Sequence, residues 1–160
     1  MKPPVIWRFG DNIHLFIYRG PGKKLVVMVV KTVVHFEIPA NDVESLSKFY
    51  KEMFGWKFKK TPMPDFDYYV ISTGPEGKSV GGGMYKKMAP QDGPRNWIQV
   101  SGIDSAIEKF KKAGGKEMMG KQEVPNIGLT FLGSDPEGNA IGLFEPLRRS
   151  RAAPSRRRGK

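Results

Sequence analysis

The sequence predicts an α+β domain built from one structural unit used twice. Three observations carry that expectation. In the stretch 33–38 (Val-Val-His-Phe-Glu-Ile), Val34, Phe36 and Ile38 alternate with His35 and Glu37. That period of two describes a strand with one apolar and one polar face. Val43, Leu46, Phe49, Tyr50 and Met53 then fall at helical spacing, followed by three further strand-like runs. Finally, the order strand, helix, three strands recurs from Trp97 onward, with a period of roughly 60 residues.

The elements follow in order. Residues 1–31 read as an N-terminal extension. Within it, the apolar runs 13–18 and 25–30 flank a Gly-Pro-Gly turn, the pattern of a hairpin. An over-long start, with the functional chain beginning at Met28, is the alternative reading. His14 falls in this extension as a hairpin surface residue rather than a ligand. In the first unit, Asn41 and Asp42 suit a helix N-cap and Gly55 a C-terminal cap. Strands are expected at 56–60, 68–73 and 80–85, with turns at 62–65 and 74–77. A loop over 88–95 leads to the second unit. There Ile98 and Val100 match Phe36 and Ile38 in parity. Ile103, Ala106, Ile107 and Phe110 form a helical stripe that ends at Gly114 and Gly115. Strands follow from 116, over 127–133 and over 140–145, with a tight turn at 135–139. Residues 147–160 are Arg-, Ser- and Pro-rich and are expected to form a basic, disordered tail.

Composition narrows the function classes. The net charge of +11 sits at the two ends. Six Lys/Arg face one acid over residues 1–31, and seven face none over 148–160, which leaves residues 32–147 at −1. A near-neutral body does not suit a nucleic-acid groove. The tail has no interleaved aromatics for base stacking, so nucleic acid is not an expected partner. The chain has no cysteine, which removes disulfides and thiolate metal sites. No apolar run approaches a membrane span, and the N-terminus lacks the order of a signal peptide. A cytoplasmic location is the expectation.

The polar face of the first strand holds the candidate chemistry. His35 and Glu37 share that face, so Glu37 can orient the imidazole of a general base. The pair could instead bind a metal weakly or line a hydrated cavity. Gly81, Gly82, Gly83 and Gly142 occupy positions where inward side chains would sit. Glycine in a strand marks close approach of a ligand or of another backbone, and both readings stand. Arg95, Trp97 and Gln99 share one face of a strand, and an aromatic with an Arg and an amide suits a small-molecule pocket. Trp97 alone equally suits core packing. Tyr69 is a weaker pocket candidate, because its facing depends on strand register.

His35-Phe-Glu-Ile-Pro, the helix ending Phe49-Tyr50 and Phe54-Gly55-Trp56, the Gly114-Gly115 pair and the run from Asp135-Pro-Glu-Gly-Asn139 to Glu145 together resemble the vicinal oxygen chelate superfamily. That group includes glyoxalase I, bleomycin resistance proteins, extradiol dioxygenases and methylmalonyl-CoA epimerase. The resemblance covers residues 32–146 and implies two tandem βαβββ modules. They would form a curved, half-closed mixed sheet around a cavity, with the helices outside. It also implies four metal-ligand positions, on the first and fourth strands of each module, holding a divalent metal that acts as a Lewis acid. Carried onto this chain, the first position is His35. The second falls within 81–83, most nearly at Gly82. The third falls at Arg95 or Trp97, and the fourth at Gly142. Glu145 should face away from that site. One ligand of four does not make a specific metal site, so no cofactor is expected.

The leading expectation is therefore a metal-independent glyoxalase-like protein that binds a small organic ligand. It would form a homodimer, as the resemblance implies. The alternative is an enzyme of the same fold, a lyase, isomerase or dioxygenase, with His35 as base or as anchor of an atypical metal site. A scaffold or nucleic-acid-associated protein acting through the basic tail is a remote third.

Overall fold

The computed structural model describes residues 5–9, 13–19, 25–29, 31–62 and 66–147. Strands β1 (Val5–Phe9), β2 (Ile13–Arg19) and β3 (Leu25–Val29) form a three-stranded antiparallel sheet. The turn between β2 and β3 and the basic tail lie outside the described residues.

The first module comprises β4 (Val33–Ala40), α1 (Val43–Phe54), β5 (Lys57–Pro62), β6 (Asp67–Ser72) and β7 (Gly81–Lys86). The second comprises β8 (Arg95–Gln99), α2 (Ile103–Lys112), β9 (Lys116–Val124), β10 (Gly128–Ser134) and β11 (Ala140–Pro146). All eight of these strands join one open mixed sheet in the order β5-β6-β7-β4-β8-β11-β10-β9. Each module pairs its first and fourth strands in parallel. The modules meet where β4 and β8 run antiparallel. The second module thus repeats the first across that seam.

Both helices cover the same face. Under α1, Ala40, Ile71 and Met84 form a buried cluster with Phe36, Ile38, Val43, Leu46 and Tyr50 packed against it. Under α2, Val100, Ile103, Phe131 and Leu143 do the same with Ile98, Ala106, Ile107 and Phe110. The α2 stripe is the one expected from the sequence. The α1 stripe is narrower than expected. Val43, Leu46, Ser47 and Tyr50 keep the i, i+3, i+4, i+7 spacing of a buried face. Phe49 and Met53 fall off that line and are 51% and 60% exposed.

The helix ends are set locally. Asp42 accepts a hydrogen bond from the Ser45 amide at 3.0 Å, satisfying one orphan donor of the first turn. Gly55 closes α1 with φ of +67° and donates its amide to Lys51. That left-handed turn returns the chain so that Trp56 stacks on Tyr50 at 4.9 Å and meets Phe36 at 5.7 Å. α2 begins at Gly102, which has no side chain to cap it. Glu145 on β11 supplies the cap instead: Oε1 accepts from Gly102 N and Oε2 from Ile103 N, both at 2.8 Å. This carboxylate, which faces away from the candidate site, ties α2 to the last strand.

Replacing Glu145 with Ala strands two helix N–H groups and removes a favourable charge from a helix N-terminus. Thermal or denaturant unfolding should register a loss of about 1–2 kcal/mol. Glu145→Gln, which keeps one acceptor, should lose less.

Candidate functional site

The face opposite the helices is where the two modules bring polar side chains together. Across the β4–β8 seam, Glu37 lies opposite Arg95 and His35 opposite Trp97. In the parallel pairing of β4 with β7, His35 lies beside Gly81 and Glu37 beside Gly83. Tyr68 on β6 lies opposite Tyr85 on β7. Period-two alternation places all of these on one face.

Four side chains form a chain of contacts. Arg95 Nε approaches Glu37 Oε2 at 3.3 Å as an ion pair, without hydrogen-bond alignment. Both side chains are nearly buried, at 12% and 13% exposure. The Tyr68 hydroxyl donates to Glu37 Oε1 at 3.1 Å and lies 2.7 Å from His35 Nε2. A phenol has one proton to give. With that proton directed at the carboxylate, His35 must donate through Nε2–H, which leaves Nδ1 as the basic nitrogen. Glu37 therefore sets the histidine tautomer through Tyr68 rather than by direct contact.

Burial sets the protonation states. It pushes the His35 pKa below its ordinary value, outweighing the opposite pull of the Glu37 charge. The imidazole is thus neutral at pH 7. Burial and the adjacent Glu37 push the Tyr68 phenol well above its ordinary range, so it stays protonated and remains a donor. The Arg95 guanidinium also lies over the Tyr85 ring, 5.2 Å from its centroid, an arrangement with cation–π character.

Two glycines make this packing possible. A Cβ on Gly83 would overlap the Tyr68 hydroxyl, and one on Gly142 would overlap the Trp97 indole. Tyr68 and Trp97 lie over the bare backbone of a neighbouring strand. Of the two readings of these glycines, ligand space and crowding, Gly83 and Gly142 follow the second, with the room taken by an aromatic ring of the chain itself.

Several candidate residues sit elsewhere than expected. Gly82 lies opposite Phe36, and a Cβ there would meet the Phe36 ring at 2.5 Å. It belongs to the helix face, and Gly81 and Gly83 take the inward positions. A run of three glycines carries no alternation from which to read parity. Tyr69 pairs with Met84 and packs into the cluster beneath α1, so it does not line the open face. Its neighbour Tyr68, not singled out from sequence, provides the link between His35 and Glu37. Gln99 keeps the parity of Trp97 and is 2% exposed. A separate depression of about 290 Å³ between the ends of β6 and β7 is lined by Ser72, Thr73, Glu76 and Ser79 among others. It contains none of the four linked residues.

The side chains present do not fit the metal that the resemblance implies. Of the four ligand positions, only His35 offers a donor atom. Glu37, the nearest carboxylate, has both oxygens engaged. Among the described residues, no three His, Cys, Asp or Glu side chains come together as a metal-binding group.

Known proteins agree with this architecture. A family model described as bleomycin resistance protein-like N-terminal matches residues 32–74. A glyoxylase-like domain-containing protein of Didymella fabae is 32% identical over 112 residues, covering 67% of this chain and 88% of that protein. The chain belongs to the glyoxalase-like branch of the vicinal oxygen chelate superfamily. The mycobacterial glyoxylase candidate CFP32, from Mycobacterium bovis, is 27% identical over 116 residues. The match takes in 70% of this chain but only 44% of CFP32, less than half of that relative. Among solved structures, methylmalonyl-CoA epimerase from Mycobacterium tuberculosis superposes with a TM-score of 0.56 at 15% identity, covering 75% of this chain and 93% of the epimerase. A glyoxalase/bleomycin resistance protein/dioxygenase superfamily member from Vibrio splendidus gives 0.54 at 13% identity, with 72% and 99% covered. At such identities the likeness is one of fold. No helix among the described residues is long and apolar enough to cross a membrane.

Two outcomes test the site. Gly83→Ala should destabilise the fold by about 2 kcal/mol or more through overpacking against Tyr68. Most of that loss should vanish in a Tyr68→Ser background, which a double-mutant cycle reads directly. Because the folded His35 binds its proton less readily than an unfolded histidine, the unfolded state takes up more protons as pH falls below about 6.5. Stability should therefore decline from pH 7 toward the lowered folded pKa. In His35→Gln that decline should be smaller, as followed by melting temperature against pH.

Proposed function

We propose that this chain is a metal-independent member of its superfamily that binds a small organic ligand on the open face of the sheet. The observation that carries the reading is the fate of the four metal-ligand positions. His35 is engaged with Tyr68. The position at Arg95 and Trp97 carries a cation or an indole. The strands that would supply the other two ligands present glycines overlaid by Tyr68 and Trp97. What the face offers in place of a metal is an aromatic surface, an ion pair and a neutral imidazole. Aromatic surface with a few placed polar groups is characteristic of small-molecule sites.

A second reading draws on the His35 tautomer. A neutral imidazole with Nδ1 free to accept a proton is the state a general base requires. An isomerase or lyase using His35 as base, oriented through Tyr68 and Glu37, is the enzymatic alternative. The activity of CFP32 does not transfer directly, since the chain spans less than half of that protein. The proposal extends to a homodimer, in keeping with the resemblance, and to a cytoplasmic setting, in keeping with a chain without cysteine.

The test begins with elemental analysis of protein purified without chelator and dialysed in turn against zinc, nickel, manganese and iron. We expect well under one equivalent of each to be retained. Near-stoichiometric retention of any one would overturn the metal-independent reading. In a thermal-shift screen of small acids, thioesters and aromatic compounds, we expect stabilisation that is lost in Trp97→Ala. A screen without a single hit would count against ligand binding.

A further inference from the structure

Among the described residues, three buried side-chain atoms lack a hydrogen-bond partner: Tyr85 Oη, Arg95 Nε and Trp97 Nε1. All three belong to the open face, because Tyr85 pairs with Tyr68, and Arg95 and Trp97 pair with Glu37 and His35. Buried polar groups are normally satisfied, and stranding one is destabilising. No other buried side-chain atom among the described residues breaks that rule, and the three exceptions lie on one face of the sheet.

Their chemistry is one-sided. An indole N–H and a guanidinium N–H can only donate, and a phenol can donate. The neighbouring carboxylate is not free to complement them, since Glu37 Oε1 holds Tyr68 and Oε2 faces Arg95. The three unpartnered atoms can all donate, and the one carboxylate beside them is already committed. Tyr85 is 2% exposed, and its ring lies under the only guanidinium of the cluster. Arg95 and Trp97 are two residues apart on β8, about 7 Å along the strand. The half-exposed Phe66 rests edge-on against both Tyr68 and Tyr85, at 6.1 and 6.2 Å.

We infer that the ligand is a small organic acid whose oxygens supply the missing acceptors. Its carboxylate takes Tyr85 Oη and Arg95, and a second oxygen, such as a 2-oxo group, takes Trp97 Nε1. Arg95 favours a carboxylate here because a charged partner shortens and strengthens such hydrogen bonds. The inference rests on the small-ligand reading and narrows it to one chemical class.

Isothermal titration of the full chain with phenylpyruvate, 2-phenylethanol and 2-phenylethylamine tests it. These probes share an aromatic body and differ in the polar end. Phenylpyruvate should bind at least about tenfold more tightly than either of the others. Tyr85→Phe and Trp97→Phe should each weaken phenylpyruvate binding about tenfold and leave the alcohol unaffected. Tyr85→Phe should also raise the melting temperature of the free protein, because it removes a stranded hydroxyl. Equal binding of acid and alcohol would overturn the acid class while leaving the small-ligand reading in place. A lower melting temperature for Tyr85→Phe with unchanged affinity would mean that the hydroxyl has an internal partner, and would sink the inference. If none of the three probes binds at millimolar concentration, the acid class falls. The wider screen then decides whether the small-ligand reading falls with it.

Discussion

The antiparallel pairing of β4 with β8 places the first strands of the two modules side by side, with Glu37 opposite Arg95 and His35 opposite Trp97. Neither module holds this set alone. The first contributes a carboxylate, an imidazole and a phenol, and the second a guanidinium and an indole. A buried carboxylate is tolerable only when its charge is paired and its lone pairs are occupied. Glu37 meets that condition only because the seam brings Arg95 within 3.3 Å while β6 brings Tyr68 within 3.1 Å. A one-residue slip at the seam would turn Arg95 to the helix face and leave the carboxylate stranded. The register that builds the site is therefore also one the fold needs.

The larger architecture was legible from the chain because its signals are local. Alternation in β4, the buried positions of α2, the Asp42 cap and the Gly55 stop all follow from residues within one turn or one pleat. The duplication made the order of elements readable without knowledge of contacts. What escaped were the facts set by pairing between strands distant in sequence. Tyr68 and Tyr69 are both aromatic, and only the registers of β6 with β7 and of β7 with β4 decide which reaches His35. The Gly81–Gly83 run has no side chains to mark its faces, so the sequence offers all three as inward and Gly82 as the nearest ligand position, whereas only Gly81 and Gly83 share the face of His35 and Glu37. Phe49 and Met53 fit a helical period in sequence, yet the buried arc of α1 is narrower than that period allows. The parity of Glu145 with respect to Gly142 turns it away from the site, as the structure has it. Its part in capping α2 was out of reach, because Gly102 lies 43 residues away.

The glycines of the open face illustrate how a vacant side chain differs from a vacant volume. A missing Cβ on a strand reads from sequence as room for something to approach. Interiors are close-packed, and in this fold the nearest aromatic takes the room: Tyr68 over Gly83 and Trp97 over Gly142. The replacement is chemically directed. Each ring brings one N–H or O–H donor to a position where the resemblance calls for a metal ligand, which is an acceptor toward the metal. The character of the side chains at these positions is thereby inverted, from acceptors to donors.

That inversion bears on whether a metal could be recruited at all. A cation entering beside His35 would have to take Nε2 from Tyr68, or approach Nδ1 with no second ligand fixed in place. It would also meet the Arg95 guanidinium at short range on the same face, where low exposure leaves the repulsion poorly screened. Drawing Glu37 toward the metal would strand both Arg95 and the Tyr68 hydroxyl. The routes through Nε2 and Glu37 break existing pairings, and the route through Nδ1 offers a single ligand, too few for a specific site. An anionic or acceptor-rich ligand faces the opposite balance, since it leaves Glu37 in its pairings and meets donors that have no partner. On this balance the acceptor-rich ligand proposed above suits these strands better than a metal does, and Tyr68, Tyr85, Arg95 and Trp97 are the side chains that set the balance.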